Sequence, residues 1–296
     1  MRRRVRRRRP ISPIWPFFIQ ACFISWFAWL PGLVLGPLRG YELYVGVDFL
    51  RVFTEGFVDG THAAVVILFW IAVYGPFISA LGISQRIGGG AGVRDLLRRM
   101  VRWRIPGSWY VIVLVLPVVN LLPAIGLAYA TGVAPEQPSL PLAAGLIPLF
   151  FLYQLLTSGL EEPGWRGFLL PFLQRRFSAE QASYIVGGLW ALWHLPYVIS
   201  LYQGPALPFA LVGFGLNLVA SSVIYTFLYN NTGSLFLAMV YHAVANVVAA
   251  LAIGVMGTHP APQLVMGLTS WGIAWLLLRR YGAERLTGST VGAQKG

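Results

Sequence analysis

Pro141-Leu142-Ala143-Ala144-Gly145-Leu146-Ile147-Pro148-Leu149-Phe150-Phe151-Leu152-Tyr153-Gln154-Leu155-Leu156-Thr157-Ser158-Gly159-Leu160 contains no charged residue, and Glu161-Glu162-Pro163-Gly164-Trp165-Arg166-Gly167 follows directly. An apolar helix of ~20 residues is what the hydrocarbon core of a bilayer requires, so the run reads as a membrane span. Only ten acidic residues exist in 296, and two of them close this span. An ionisable group at membrane depth is costly, and its default reading is functional. The plainer reading is that the pair marks the exit of the chain from the bilayer and meets Arg166 at the headgroups.

The rest of the chain repeats the pattern. It is 57% hydrophobic and 11% charged, with a mean hydropathy of +0.67, whereas a soluble domain carries about 25% charged residues. Apolar runs fall at about 14 to 35, 62 to 83, 109 to 130, 141 to 160, 182 to 201, 207 to 228, 234 to 256 and 264 to 278. The expected fold is all-α: a polytopic membrane bundle of about eight transmembrane helices. Cytoplasmic loops retain Lys and Arg. With the N-terminus inside, the inner segments hold twenty of the 22 basic residues, leaving Arg39 and Arg51 for the outer loops. Both termini are therefore expected to face the cytoplasm, across the inner membrane.

The domain reading is a basic cytoplasmic tail over 1–13, a single transmembrane domain over 14–280 and a cytoplasmic tail over 281–296. The run Arg2 to Arg9 precedes about twenty apolar residues with no small-residue cleavage site, longer than a secretory core, so it leads into a first span. The net charge of +12 lies beside span ends, which points to anionic membrane lipids and not to nucleic acid. The single cysteine, Cys22, excludes an intrachain disulfide and reads as packing.

Several local features are expected to be structural. Arg94 to Arg104 places apolar residues among arginines at helical spacing, the pattern of an amphipathic helix on the inner leaflet. Gly88-Gly89-Gly90 leads into it. Pro117 and Pro123 should kink the third span, and Asn120 and Asn217 should bond neighbouring helices. The polar segment from 38 to 60 carries no indicated chemistry.

Three further residues turn the carboxylate pair into a candidate site. His194 lies within the fifth expected span. His242 and Asn246 lie in the seventh, at i and i+4, and so project from one helical face. The other two histidines, His62 and His259, fall at outer span ends. A lone histidine in a span is more often a packing residue. Two of them in separate spans, with an in-phase asparagine and paired carboxylates, indicate a shared polar cavity below the cytoplasmic surface.

Glu161-Glu162 with Arg166, Trp190-xxx-His194 and His242-xxx-Asn246 resemble, in order and spacing, the motifs of the CAAX prenyl protease type 2 and bacteriocin-processing (CPBP, or ABI) family of intramembrane proteases. The resemblance covers about 141–257, the family's catalytic core. Trp190 stands where the family usually has Phe, and reads as another filler of an aromatic slot. Pro163 is a larger departure, because it removes an amide donor and should kink or restart the helix, which bears on how Glu161 sits relative to Arg166.

The resemblance implies an intramembrane endopeptidase in which Glu161 activates a water, His194 assists, and His242 and Asn246 stabilise the oxyanion, with Glu162 and Arg166 in support. Carboxylate bases and amide or imidazole donors suit that chemistry. It also leaves open a divalent metal such as zinc on Glu161, His194 and His242, although HExxH is absent. The expected partner is a peptide or membrane-protein substrate. A non-catalytic binding or immunity factor of the same fold is the alternative reading. A proton-coupled carrier would show inverted repeats, and the sequence has no such symmetry.

Overall fold

A computed structural model of the protein describes residues 13–44, 46–135, 144–202, 204–256 and 260–288. The basic run Arg2 to Arg9, His259 and Lys295 lie outside the described residues. Regular structure among the described residues is helical throughout. It comprises α1 (Ile14–Arg39), α2 (Arg51–Thr54), α3 (Gly60–Ile71), α4 (Gly75–Met100), α5 (Gly107–Ala130), α6 (Ile147–Leu156), α7 (Leu170–Leu173), α8 (Ala179–Trp193), α9 (Leu195–Leu201), α10 (Ala206–Thr232), α11 (Leu235–Met256) and α12 (Pro260–Tyr281).

Among the described residues each expected span overlaps helix, although 141 to 143 lie outside them. The helix over 264 to 278 is not among those long and apolar enough to cross a membrane, so the expected eight spans become six or seven. Six described helical runs are long and apolar enough to cross a membrane, and α8 with α9 makes a seventh across a 51° bend. The range 264 to 278 lies in α12, which packs on α10 and α5. The core is built where α10 meets α8 and α12, and where α11 meets α5 and α6.

Local chemistry sets the ends of these helices. Ser178 and Gln181 form a reciprocal capping box at the start of α8. Gly233, at φ 61°, ends α10 in the left-handed conformation that glycine adopts without penalty. Ser25 Oγ donates to the Ala72 carbonyl at 2.6 Å, tying α1 to the 3₁₀ turn between α3 and α4. Asn120 and Asn217 do bond neighbours, sharing the buried Ser270 hydroxyl at 3.0 and 2.8 Å, so α5, α10 and α12 are stitched by one polar cluster.

The segment after the glycine triplet, expected to lie on a leaflet, packs into the protein. The chain breaks helical geometry at Gly89 (φ 56°, ψ −155°) and resumes. Leu96 is then fully buried, and Arg99 Nη1 donates to the Gly167 carbonyl at 2.9 Å. This arm therefore clamps the segment that carries the carboxylates. The first residues of the expected C-terminal tail are also packed: Asn231 Nδ2 donates to the Leu286 carbonyl, and the Ala179 and Glu180 amides donate to Glu284 and Ala283.

The polar segment between α1 and α3 is ordered around His62, to which the sequence assigns no role. His62 is buried, accepts the Val58 amide at Nδ1, and places Nε2 at 2.7 Å from the Glu42 carbonyl. Because that carbonyl can only accept, the proton is on Nε2. Asp59 caps α3 by accepting the His62 amide at 2.7 Å and also accepts the Tyr41 hydroxyl.

Close backbone approach fixes where the carboxylate segment sits. A Cβ on Gly164 would lie 2.7 Å from both the carbonyl carbon and oxygen of Pro76, and backbone atoms cannot retreat as a side-chain tip can. Gly164→Ala is therefore expected to destabilise the protein by roughly 1–3 kcal/mol, the scale of core overpacking. Gly188→Ala, which would meet nothing within 4 Å, should leave thermal unfolding in detergent unchanged. Equal melting temperatures for the two variants would show that the Pro76 contact does not set the position of this segment.

Candidate active site

The carboxylates occupy a break in helical geometry. α6 ends at Leu156, a 3₁₀ turn covers Ser158–Glu161, and a π-helical segment runs over Pro163–Leu169 before α7. Pro163 has no amide hydrogen and its ring crowds the preceding turn, so an unbroken α-helix is unavailable here. Tighter winding before the proline and wider winding after it accommodate the loss, and π-segments of this kind are frequent at functional sites. The proline changes the helix type and leaves the Glu162–Arg166 pairing in place.

Both glutamates are buried, but in different company. Glu162 Oε1 accepts from Arg166 Nη1 at 3.1 Å and lies 2.8 Å from His242 Nδ1. Arg166 Nη1 also approaches Glu162 Oε2 at 3.0 Å without hydrogen-bond geometry. Glu161 is held through one oxygen only: Oε2 accepts the Trp190 indole N–H at 2.7 Å. Two adjacent residues thus differ sharply, one enclosed by a guanidinium and an imidazole and the other with an oxygen to spare.

Arg166 is fully buried, and its Nε and Nη2 find no acceptor. Its flat faces are covered instead, with the guanidinium 4.4 Å from the Trp190 ring centroid and 4.1 Å from that of Tyr225. A desolvated cation over an aromatic ring gains about 2 kcal/mol or more. The headgroup role of Arg166, the plainer reading of the sequence, is overturned by this burial.

The histidines flank the same indole. His194 stands at the junction of α8 and α9, where Pro196 interrupts the amide ladder and the axis bends by 51°. Its Nδ1 lies 2.9 Å from the Trp190 carbonyl, so that nitrogen carries the proton and Nε2 is left with its lone pair. The ring centroids of His194 and His242 lie 5.7 and 5.5 Å from that of Trp190. Asn246, one turn beyond His242, donates from Nδ2 to Gln154 Oε1 at 2.9 Å, and Gln154 also accepts the Ser158 hydroxyl. One amide hydrogen of Asn246 is thereby committed to Gln154.

Two comparisons bear on this geometry. The family model described as type II CAAX prenyl endopeptidase Rce1-like matches residues 143–248. The chain is also 25% identical over 214 residues to the CAAX prenyl protease 2 of Methanococcus maripaludis, across 68% of this chain and 79% of that protein. The matched range contains the carboxylate pair, Arg166 and both histidines. Over this range the chain is similar to the CPBP family.

The candidate site residues are brought around one centre, Glu161, His194 and His242 about the Trp190 indole and Asn246 one turn beyond, but not as a ligand set. Among the described residues no three His, Cys, Asp or Glu side chains are spaced to hold a metal, so Glu161, His194 and His242 do not fit a zinc triad as they stand. His242 is turned towards Glu162, and one oxygen of Glu161 is engaged by Trp190.

Sequence reasoning treated Trp190 as a filler and passed over Gln154 and Tyr225. Trp190 carried a usable signal, since replacing Phe by Trp adds an N–H donor one turn from His194. Gln154 carried one too, as an amide within an otherwise apolar run. Nothing in the sequence pointed to Tyr225, whose role depends on the packing of α10 against α8.

The aromatic cover of Arg166 predicts a specific cost. Arg166→Lys keeps the charge but loses the planar face, and should lower the apparent melting temperature and weaken the hold on Glu162. Arg166→Leu should cost more, about 3–5 kcal/mol, because it strands a buried carboxylate. Thermal unfolding of both variants in one detergent checks the order; a lysine variant as stable as wild type would mean that the aromatic sandwich contributes nothing.

Proposed function

We propose that the protein is an intramembrane endopeptidase of the cytoplasmic membrane that hydrolyses a peptide bond in a membrane-embedded cavity opening to the cytoplasmic face. The observation that carries this reading is the unequal bonding of the two glutamates. Glu162, closed by Arg166 and His242, is suited to hold structure; Glu161, with Oε1 uncommitted, is suited to handle a water.

In this mechanism Glu161 Oε1 accepts a proton from water as its oxygen attacks the carbonyl carbon of the scissile bond. The resulting oxyanion needs donors. The second Nδ2 hydrogen of Asn246 is one. His242 donates from Nε2 only as the imidazolium, for which Glu162 is the adjacent counter-ion. Collapse of the tetrahedral intermediate breaks the C–N bond, and the proton held on Glu161 passes to the leaving amine. His194, whose Nε2 lone pair is fixed by the Trp190 carbonyl, accepts a hydrogen bond from the attacking water and orients it. Products are a carboxylic acid and an amine, and the acid's proton passes to the amine so that they leave as carboxylate and ammonium.

The named relative suggests the substrate class, a C-terminal Cys-aliphatic-aliphatic-X segment carrying a prenyl group. The test is cleavage of fluorogenic peptides of that form, prenylated and unmodified, by protein in lipid nanodiscs. Glu161→Gln should reduce turnover by about 10²–10⁴-fold, the scale for losing a general base, with an unchanged melting temperature. Glu162→Gln should lower the melting temperature as well. Full turnover in Glu161→Gln sinks the assignment of the base. Retained peptide binding with no cleavage by wild type would favour a non-catalytic binding factor.

A further inference from the structure

We propose that Trp190 is a positioning residue that fixes the Glu161 carboxylate for water activation through its indole N–H, an inference that rests on Glu161 being the base. The bond is short, 2.7 Å between Nε1 and Oε2, and both side chains are buried at 3% exposure. An indole nitrogen only donates and has no accessible proton to lose. It can therefore hold one carboxylate oxygen without competing for the proton that the other must take up. Lysine, histidine or a hydroxyl at this place would each be able to exchange a proton with Glu161.

The indole is itself immobilised. Its face carries the Arg166 guanidinium, Tyr225 meets it edge-on at 90° with centroids 5.6 Å apart, and both histidine rings lie against it. The backbone carbonyl of the same residue holds His194 Nδ1. One residue thus sets the oxygen of Glu161 that is engaged and the nitrogen of His194 that is protonated. The acceptor is unusual for this protein, since the indoles of Trp26, Trp29 and Trp70 donate to backbone carbonyls. Nor does the fold require every buried indole to be satisfied, because Nε1 of Trp165 and of Trp193 has no partner. A phenylalanine at position 190 would fill the ring space and leave Glu161 free to rotate.

The experiment replaces Trp190 with 3-benzothienylalanine, which has nearly the same shape with sulfur in place of N–H, and separately makes Trp190→Phe. Expected for the benzothienyl protein is an unchanged melting temperature, KM within about twofold, and kcat lowered roughly ten- to hundredfold, the range for losing one hydrogen bond to a charged group. Trp190→Phe should lose at least as much kcat. Wild-type kcat in the benzothienyl protein overturns the proposal, as does a loss confined to KM or stability. A second arm reads the bond without activity: the ¹⁵N indole resonance assigned by its absence in Trp190→Phe should move in Glu161→Ala and stay in Glu162→Gln. A resonance indifferent to Glu161→Ala also overturns the proposal. An inactive wild type with a responsive resonance would count against the protease reading and not against the pairing of Trp190 with Glu161.

Discussion

A carboxylate can leave water only if other groups replace the water, and the Glu162 carboxylate does so through Arg166 and His242. The rest of the site depends on this exchange. The pair is made within one helical turn, so it forms as the segment winds, whereas His242 arrives from α11, eighty residues along the chain. Arg166 would carry its own desolvation cost into the core were its faces not covered by Trp190 from α8 and Tyr225 from α10. Four elements therefore converge on one charge. Removing a partner from such a cluster is more damaging than the cluster is stabilising, because the charge left behind stays buried.

That convergence explains the irregular backbone. A regular α-helix through Glu161 and Glu162 would leave no room for Pro163, and the change from 3₁₀ to π winding resolves the conflict at the place where the side chains must turn inward. The irregular segment is braced from outside. Gly164 lets the Pro76 backbone approach, and Gly167 receives Leu96 and Leu235 where a Cβ would collide. The arm that brings Leu96 is the one that follows the Gly89 break, so a glycine in a loop-like position and two glycines in the site serve one packing arrangement.

Much of this was legible in the sequence, for reasons that differ by residue. The spans were readable because lipid imposes length and apolarity directly. His242 and Asn246 were readable as a pair because a spacing of four fixes one helical face. The enclosure of Glu162 by Arg166 was half readable: the spacing predicted the contact, but whether the pair lay at the headgroups or in the core depended on α8 and α10 closing over it. The hydrogen bond from Trp190 to Glu161 spans 29 residues and two helices, and ring size alone concealed that a donor had been added. Asn246 shows the opposite error, since its face was predicted correctly while its bond to Gln154 was not, and that bond leaves the amide one free hydrogen in place of two.

One oxygen of Glu161 is held by an indole, while Glu162 is closed by Arg166 and His242, and the proposed chemistry turns on this division of labour between the carboxylates. The most direct measurement is an experimental structure in lipid nanodiscs at a resolution that places ordered water. The account predicts a water within hydrogen-bonding distance of Glu161 Oε1 and His194 Nε2, with the Trp190 indole on Glu161 Oε2 and no water between Glu162, Arg166 and His242. Water bridging Glu162 to the cavity, with Glu161 dry or turned away from Trp190, would contradict it.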